Sequence, residues 1–166
     1  MPTLLRHAIS VAALPFTVVF LVPYWVARRY DASAALAQST GALLLQLAGI
    51  LVLALGFGLF TASLRQFATE GKGTLAPWDP PRLFVASGPY RFVRNPMISG
   101  VIFMLCGEAL VLLSRAHGVW AAFCIVLNLI YIPAVEEPQL RRRFGASYQE
   151  YCRHVPRFIP RLTPWR

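Results

Sequence analysis

Two groups of residues have the types and spacing to do chemistry: the run Gly88-Pro89-Tyr90-Arg91-Phe92-Val93-Arg94-Asn95-Pro96-Met97 and the pair Glu136-Glu137. Paired carboxylates accept hydrogen bonds from ribose hydroxyls or from an ammonium group, and a cationic ligand gains most from them. The same pair beside Arg141, Arg142 and Arg143 also suits an ion-paired helix end. Arg91 and Arg94 offer donors to an anion, or serve as snorkelling anchors at a membrane surface. An anchor needs neither Gly88-Pro89 before Tyr90 nor an Asn95-Pro96-Met97 junction after it, so the run reads as a shaped binding turn. Glu108 lies within an apolar run, where a carboxylate is a candidate for a substrate-side role, or else reaches the interface or pairs with Arg115. Asn128 reads as an interhelical hydrogen-bond partner. His7, His117 and His154 pair with no Ser or Cys in a nucleophile pattern, and Cys106, Cys124 and Cys152 lack C-x-x-C spacing. No metal site, disulfide framework or covalent protein nucleophile is expected.

The elements that must position these residues are apolar helices. Of 166 residues 57% are hydrophobic and only 14% charged, against roughly a quarter charged in a soluble domain. Four stretches are predicted to cross a bilayer: 8–27, 40–64, 96–114 and 118–135. Asn95 can cap the third, and Pro96 fits its first helical position. Its positive end then faces the side of the binding turn. Pro133 and Pro138 are expected to end the fourth in a turn that carries Glu136 and Glu137. The loop 66–95 is rich in Gly and Pro, yet Trp78, Phe84, Tyr90 and Phe92 argue for a packed loop rather than a disordered one. In the tail 136–166, Leu140, Phe144, Tyr148, Tyr151 and Val155 recur at helical spacing, while Arg141, Arg142 and Arg143 face elsewhere. This predicts a basic amphipathic tail lying on anionic lipid, broken into two short helices at Gly145.

With the N-terminus inside, the cytoplasmic side holds every basic residue except Arg28, Arg29 and Arg115. The positive-inside rule therefore predicts both termini, the loop and the tail in the cytoplasm. The net charge of +9 is explained by these flanks and not by nucleic-acid binding. The expectation is a single all-α membrane domain, 1–166, with about four transmembrane helices, a cytoplasmic loop and an amphipathic helical tail.

Three ordered blocks carry a resemblance: Gly88 to Met97; Glu136-Glu137-x-x-Leu140-x-x-x-Phe144-Gly145-x-x-Tyr148-x-x-Tyr151; and Val155-Pro156-Arg157-x-Ile159-Pro160. With Gly71-x-Gly73-Thr74-x-x-Pro77 and Pro80-Pro81-x-Leu83-x-Val85 upstream, the sequence resembles the isoprenylcysteine carboxyl methyltransferase and phospholipid methyltransferase-like membrane family over roughly residues 40–160. The resemblance implies an S-adenosylmethionine-dependent methyltransferase acting on a lipophilic or amphipathic acceptor that enters from the membrane. It implies cofactor contacts from Arg82, Leu83, Phe84, Val85, Tyr90, Asn95, Pro96, Met97, Ile98 and Glu136, with Glu137 beside it; Arg91, Arg94 or the N-terminus of the third helix is then expected to hold the cofactor carboxylate. Three positions depart from the family pattern, the first being Asn95 in place of a histidine, an acceptable cap and hydrogen-bonding substitute. Ile98 replaces a tyrosine, and Ile132 stands where prenylcysteine enzymes carry a substrate-engaging arginine, which weakens the case for a prenylcysteine carboxylate. The alternatives are a non-catalytic membrane assembly protein and a related NADPH-dependent membrane reductase.

Overall fold

The computed structural model describes residues 12–30, 39–71 and 83–166, and every structural statement here concerns those residues. They form helices and connecting turns, with no strand among them. Wide π-type turns over Ala12–Leu21 pass directly into helix α1, Val22–Arg29. Helix α2 is Thr40–Glu70, α3 is Pro96–Val111, α4 is Arg115–Tyr131 and α5 is Glu137–His154.

At 1.5 Å per residue the 31 residues of α2 exceed the thickness of a hydrocarbon core. Among the described residues two helical rods are long and apolar enough to cross a membrane, Thr40–Glu70 and the continuous Arg115–His154, while Pro96–Val111 is a shorter apolar helix. Only 22% and 17% of the apolar windows of the two rods are buried inside the protein. Leu44, Leu51, Phe57, Val126 and Ile130 thus point outward, each more than half exposed. Apolar rods whose surfaces face outward mark an integral membrane protein, since water would not tolerate that area.

Glycine sets the tightest contact. Helices α2 and α3 run antiparallel, and a Cβ on Gly56 would lie 2.7 Å from the Gly100 carbonyl oxygen. Gly49 meets Gly107 in the same way seven residues further along each helix. Small residues let the two backbones touch, which is how helices associate where lipid removes the hydrophobic drive. Phe60 and Met104 pack beside the contact with Val19 from the N-terminal helical segment, residues 12–29, which forms the first rod of the chain. At the opposite end, Gln46 Nε2 donates to the Val111 carbonyl at 3.0 Å. The chain reverses between α3 and α4 through Leu113, which adopts φ 47°. His117, fully buried, bonds the Ser114 hydroxyl and the Pro23 carbonyl, and Trp120 donates to the Val18 carbonyl, so α4 holds the first rod.

Two sequence expectations change. The second helix continues to Glu70 instead of stopping at 64, so the loop begins at Gly71. Pro133 and Pro138 do not end the fourth helix in a turn. Between α4 and α5 lies a π-type segment, Ile132–Glu136, in which the Glu137 N–H reaches back five residues to the Ile132 carbonyl. Proline cannot supply the i→i−4 bond, and the wider turn accommodates the lost donor without breaking the rod. Pro138 sits in the first turn of α5, where a missing N–H costs little. The expected break at Gly145 is present as a kink, with φ 55° and ψ −129° inside α5.

Candidate functional site

The site is assembled where the loop before α3 meets the tail. Gly88–Arg91 forms a 3₁₀ turn, and Gly88 takes φ +54°, a conformation that suits glycine. Ser87 is bonded to Gln66 and Glu70 at the end of α2, which ties the turn to that helix. Asn95 precedes α3 and Pro96 opens it, as the sequence predicts. The Asn95 side chain makes no capping bond, however, so the first N–H groups of α3 keep their positive end open.

The tail is strapped across this turn by backbone bonds. Arg94 N–H donates to Pro156, Arg161 N–H to Phe92, and Trp165 N–H to Arg91, each at 3.0 Å. The Tyr151 hydroxyl donates to the Tyr90 carbonyl at 2.7 Å. Phe84 packs edge-on against Tyr148 and Tyr151, which are 2% exposed, so the aromatic stripe of the tail closes on the loop.

The two glutamates have different environments. Glu137 is 2% exposed and accepts from Arg94 Nη1 at 2.8 Å and from Arg157 at 2.6 and 2.7 Å, with Arg141 3.7 Å away. Burial alone would raise its pKa; the Arg157 hydrogen bonds and the charges of Arg94, Arg157 and Arg141 overcome this and hold it below the ordinary value. Arg94 directs its remaining donors to the Val155 and Cys152 carbonyls. Glu136 has no such partner among the described residues. Burial, followed by the neighbouring Glu137 charge, pushes its carboxyl up to about 6. Tyr90 faces it: burial first, then Tyr151 and Glu136, raises the Tyr90 phenol above its ordinary range.

Beside this pair lies a cavity of about 540 Å³ between α2, α3 and α4. Leu59 contributes from α2, Ile98 and Ile102 from α3, Asn128 from α4, and Phe158 and Pro160 roof it from the tail. Pro89 and Ile132 also line it, and each adjoins one member of the Tyr90–Glu136 pair, Pro89 in sequence and Ile132 one helical turn before Glu136. Neither Glu136 nor Tyr90 is itself among the lining residues, so the pair adjoins the cavity rather than forming its wall. Phe103 and Leu129, 44% and 47% exposed, carry its lining to the outward surface of the helices.

Of the expected site residues, Asn95 and Ile98 line the cavity, while Tyr90 follows the lining residue Pro89 and Glu136 lies one helical turn after the lining residue Ile132. Pro96 is buried, and Met97 packs toward Phe60 and Met104. Phe84 and Val85 anchor the loop, Leu83 is exposed, and Arg82 lies outside the described residues. Arg91 donates to the Trp165 carbonyl, so both Arg91 and Arg94 hold the tail. Glu108 is remote from this end; its Oε2 is buried without a partner near the Leu113 turn. Asn128 donates within its own helix, to the Cys124 carbonyl, and not between helices. The other lining residues, Ser99, Asn128, Phe158 and Pro160 among them, were not among the site residues expected from the sequence. Only Asn128, a polar residue in an apolar span, gave a signal.

The donor set fits S-adenosylmethionine in one respect the structure itself shows: a half-buried carboxylate without a cation suits a ligand that brings a positive charge or hydroxyl donors. A family model described as phospholipid methyltransferase matches residues 44–147. Methanethiol S-methyltransferase 2 of Bradyrhizobium diazoefficiens is 37% identical over 76 residues, covering 44% of this chain. The matched stretch spans 27% of the length of that relative. No solved structure matches the chain. The family match runs from α2 through the loop, α3 and α4 into α5 and takes in Tyr90, both glutamates and the cavity lining apart from Phe158 and Pro160, so this chain belongs to the phospholipid methyltransferase family.

Proposed function

We propose that the chain is an S-adenosylmethionine-dependent methyltransferase of the membrane whose acceptor is lipophilic and reaches the cavity from the bilayer. The observation that carries this reading is the family match over residues 44–147, which takes in a half-buried Glu136 carboxylate close enough to act on Tyr90, next to a Glu137 already satisfied by arginines and beside an apolar cavity. S-adenosylmethionine supplies a methyl group on a good leaving group, so no protein nucleophile is required. Glu136 and Tyr90 orient it, and the open N-terminus of α3 at Asn95 receives its carboxylate. The tail roof and the aromatic cluster exclude water, and alignment of the two reactants provides most of the acceleration. The name of the Bradyrhizobium relative, a thiol methyltransferase, supports methyl transfer as the activity. The distribution of basic residues supports four crossings with the site and both termini in the cytoplasm. Calorimetry in detergent tests the reading: saturable binding of S-adenosylmethionine is expected, and its absence at millimolar ligand would remove it in favour of a non-catalytic membrane protein.

A further inference from the structure

The tail carries two apolar surfaces, and one of them is spent inside the protein. Leu140, Phe144, Tyr148, Tyr151 and Val155, the stripe that makes α5 amphipathic, pack with Phe84, Ala86 and Trp165. That face of the helix closes on the loop instead of lying on lipid.

The second surface lies beyond the helix. Ile159 is 80% and Leu162 99% exposed, more than any other large apolar side chain among the described residues. Both project from a pinned backbone: the Pro156 carbonyl accepts from the Arg94 N–H, and the Arg161 and Trp165 N–H groups donate to the Phe92 and Arg91 carbonyls. Phe158 and Pro160, on either side of Ile159, line the cavity. The strap 157–166 therefore shows one face to the cavity and another outward.

Depth and charge together identify what meets the outward face. The cavity under Phe158 and Pro160 is also lined by Leu59, Ile102 and Leu129, which lie in the apolar runs 40–64, 96–114 and 118–135. The strap thus sits where the helices enter the hydrocarbon, and a large aliphatic side chain at that level partitions into the lipid boundary. From 138 to 166 the sequence holds seven arginines and one acid, Glu150. Arg161 and Arg166 belong to the same strap as Leu162; Arg161 uses Nη1 on the His154 carbonyl at 3.0 Å, and Arg166 is exposed. Guanidinium groups suit phosphate oxygens, which they bind with paired donors. A soluble acidic partner would match the arginines but not two aliphatic side chains at the depth of the helix ends.

We propose that the strap is an interfacial anchor. Ile159 and Leu162 insert into the leaflet at this end of the helices, and Arg161 and Arg166 hold the phosphates of anionic phospholipids. The cavity roof is then seated by lipid from outside as it is by backbone bonds from within. The inference stands on the membrane location of the chain and is independent of the reaction it catalyses.

The test places the protein in nanodiscs of phosphatidylcholine, with or without an equal part of phosphatidylglycerol. A fluorophore attached to Leu162→Cys in a Cys152→Ser background should be quenched by phosphatidylcholine brominated on its acyl chains. The same fluorophore on Gln149→Cys, on the exposed side of α5, should not. In the wild-type chain, amide hydrogen exchange at Arg161 and Trp165 should slow by roughly fivefold or more with phosphatidylglycerol, the weight of one arginine near an anionic surface. High salt should reverse that change. Ile159→Ser combined with Leu162→Ser should remove the lipid effect on exchange and keep the melting temperature in detergent, since neither side chain is packed in the protein. An unquenched Leu162 probe overturns the proposal and leaves the surface to a soluble partner, and exchange indifferent to phosphatidylglycerol overturns it equally. Neither outcome touches S-adenosylmethionine binding, which calorimetry reads separately.

Discussion

At the scale of single residues, the adjacent glutamates separate function from stability. Glu136 keeps a half-buried carboxylate with no ion pair among the described residues, and its pKa near 6 against an ordinary 4.5 costs the empty protein on the order of 2 kcal/mol at neutral pH. The raised value means that the folded state binds the proton more tightly than the unfolded one, so this cost appears as pH rises from about 4.5 through 6 and is absent below. Glu136→Gln should therefore raise the melting temperature of the ligand-free protein at pH 7 and leave it unchanged at pH 4. The same substitution should weaken S-adenosylmethionine binding roughly tenfold or more, whereas Glu150→Gln, on the exposed face of α5, should change it less than about twofold. Wild-type affinity should itself fall as pH drops through about 6. Glu137 behaves oppositely. Its lowered pKa contributes stability that is present above 4.5 and lost as pH falls through the folded-state value. Glu137→Gln should cost about 3–5 kcal/mol, because Arg94 and Arg157 lose the carboxylate between them; chemical denaturation at pH 7 measures this. The sequence singled out the pair but did not tell which carboxylate meets the arginines, since neighbours on a helix point about 100° apart and the facing arginines come from distant segments.

At the scale of elements, the start of α3 and the kink of α5 were legible because each is written locally, in Asn95-Pro96 and in Gly145. The stripe from Leu140 to Val155 was legible for the same reason, and it packs on Phe84. The contact between α2 and α3 was not, because a glycine in an apolar run does not reveal what approaches it. Gly56→Leu should force the two helices apart and destabilise the protein by at least about 1–3 kcal/mol. Gly58→Ala, two residues away with nothing within 4 Å of the added methyl, should be neutral or stabilise by up to about 1 kcal/mol. Thermal melts in one detergent distinguish the pair. The continuity of α4 with α5 was also hidden: the rule that proline ends helices is statistical, and a π-type turn is the exception that packing on both sides can hold.

At the scale of the whole molecule, the asymmetry of arginine gives the expected orientation, and the tail and loop do meet at one end of the helices. With Cys152 replaced by serine, a cysteine at Leu113 should react with an impermeant maleimide from outside the cell. One at Thr163 should react only after permeabilisation; the reverse pattern would invert the assignment. The cavity walls were not legible because their residues are ordinary aliphatics drawn from three helices and the tail. One further property follows from the π-type segment Ile132–Glu136, which joins the membrane rods to the tail. Removing a single residue there, such as Ala134, would restore regular helical turns and rotate one half of the molecule against the other by about 100°. Ile132 could then no longer face the cavity while Glu137 faces its arginines. A one-residue insertion or deletion in this stretch should therefore abolish activity even where the conservative substitution Ala134→Ser leaves it unchanged.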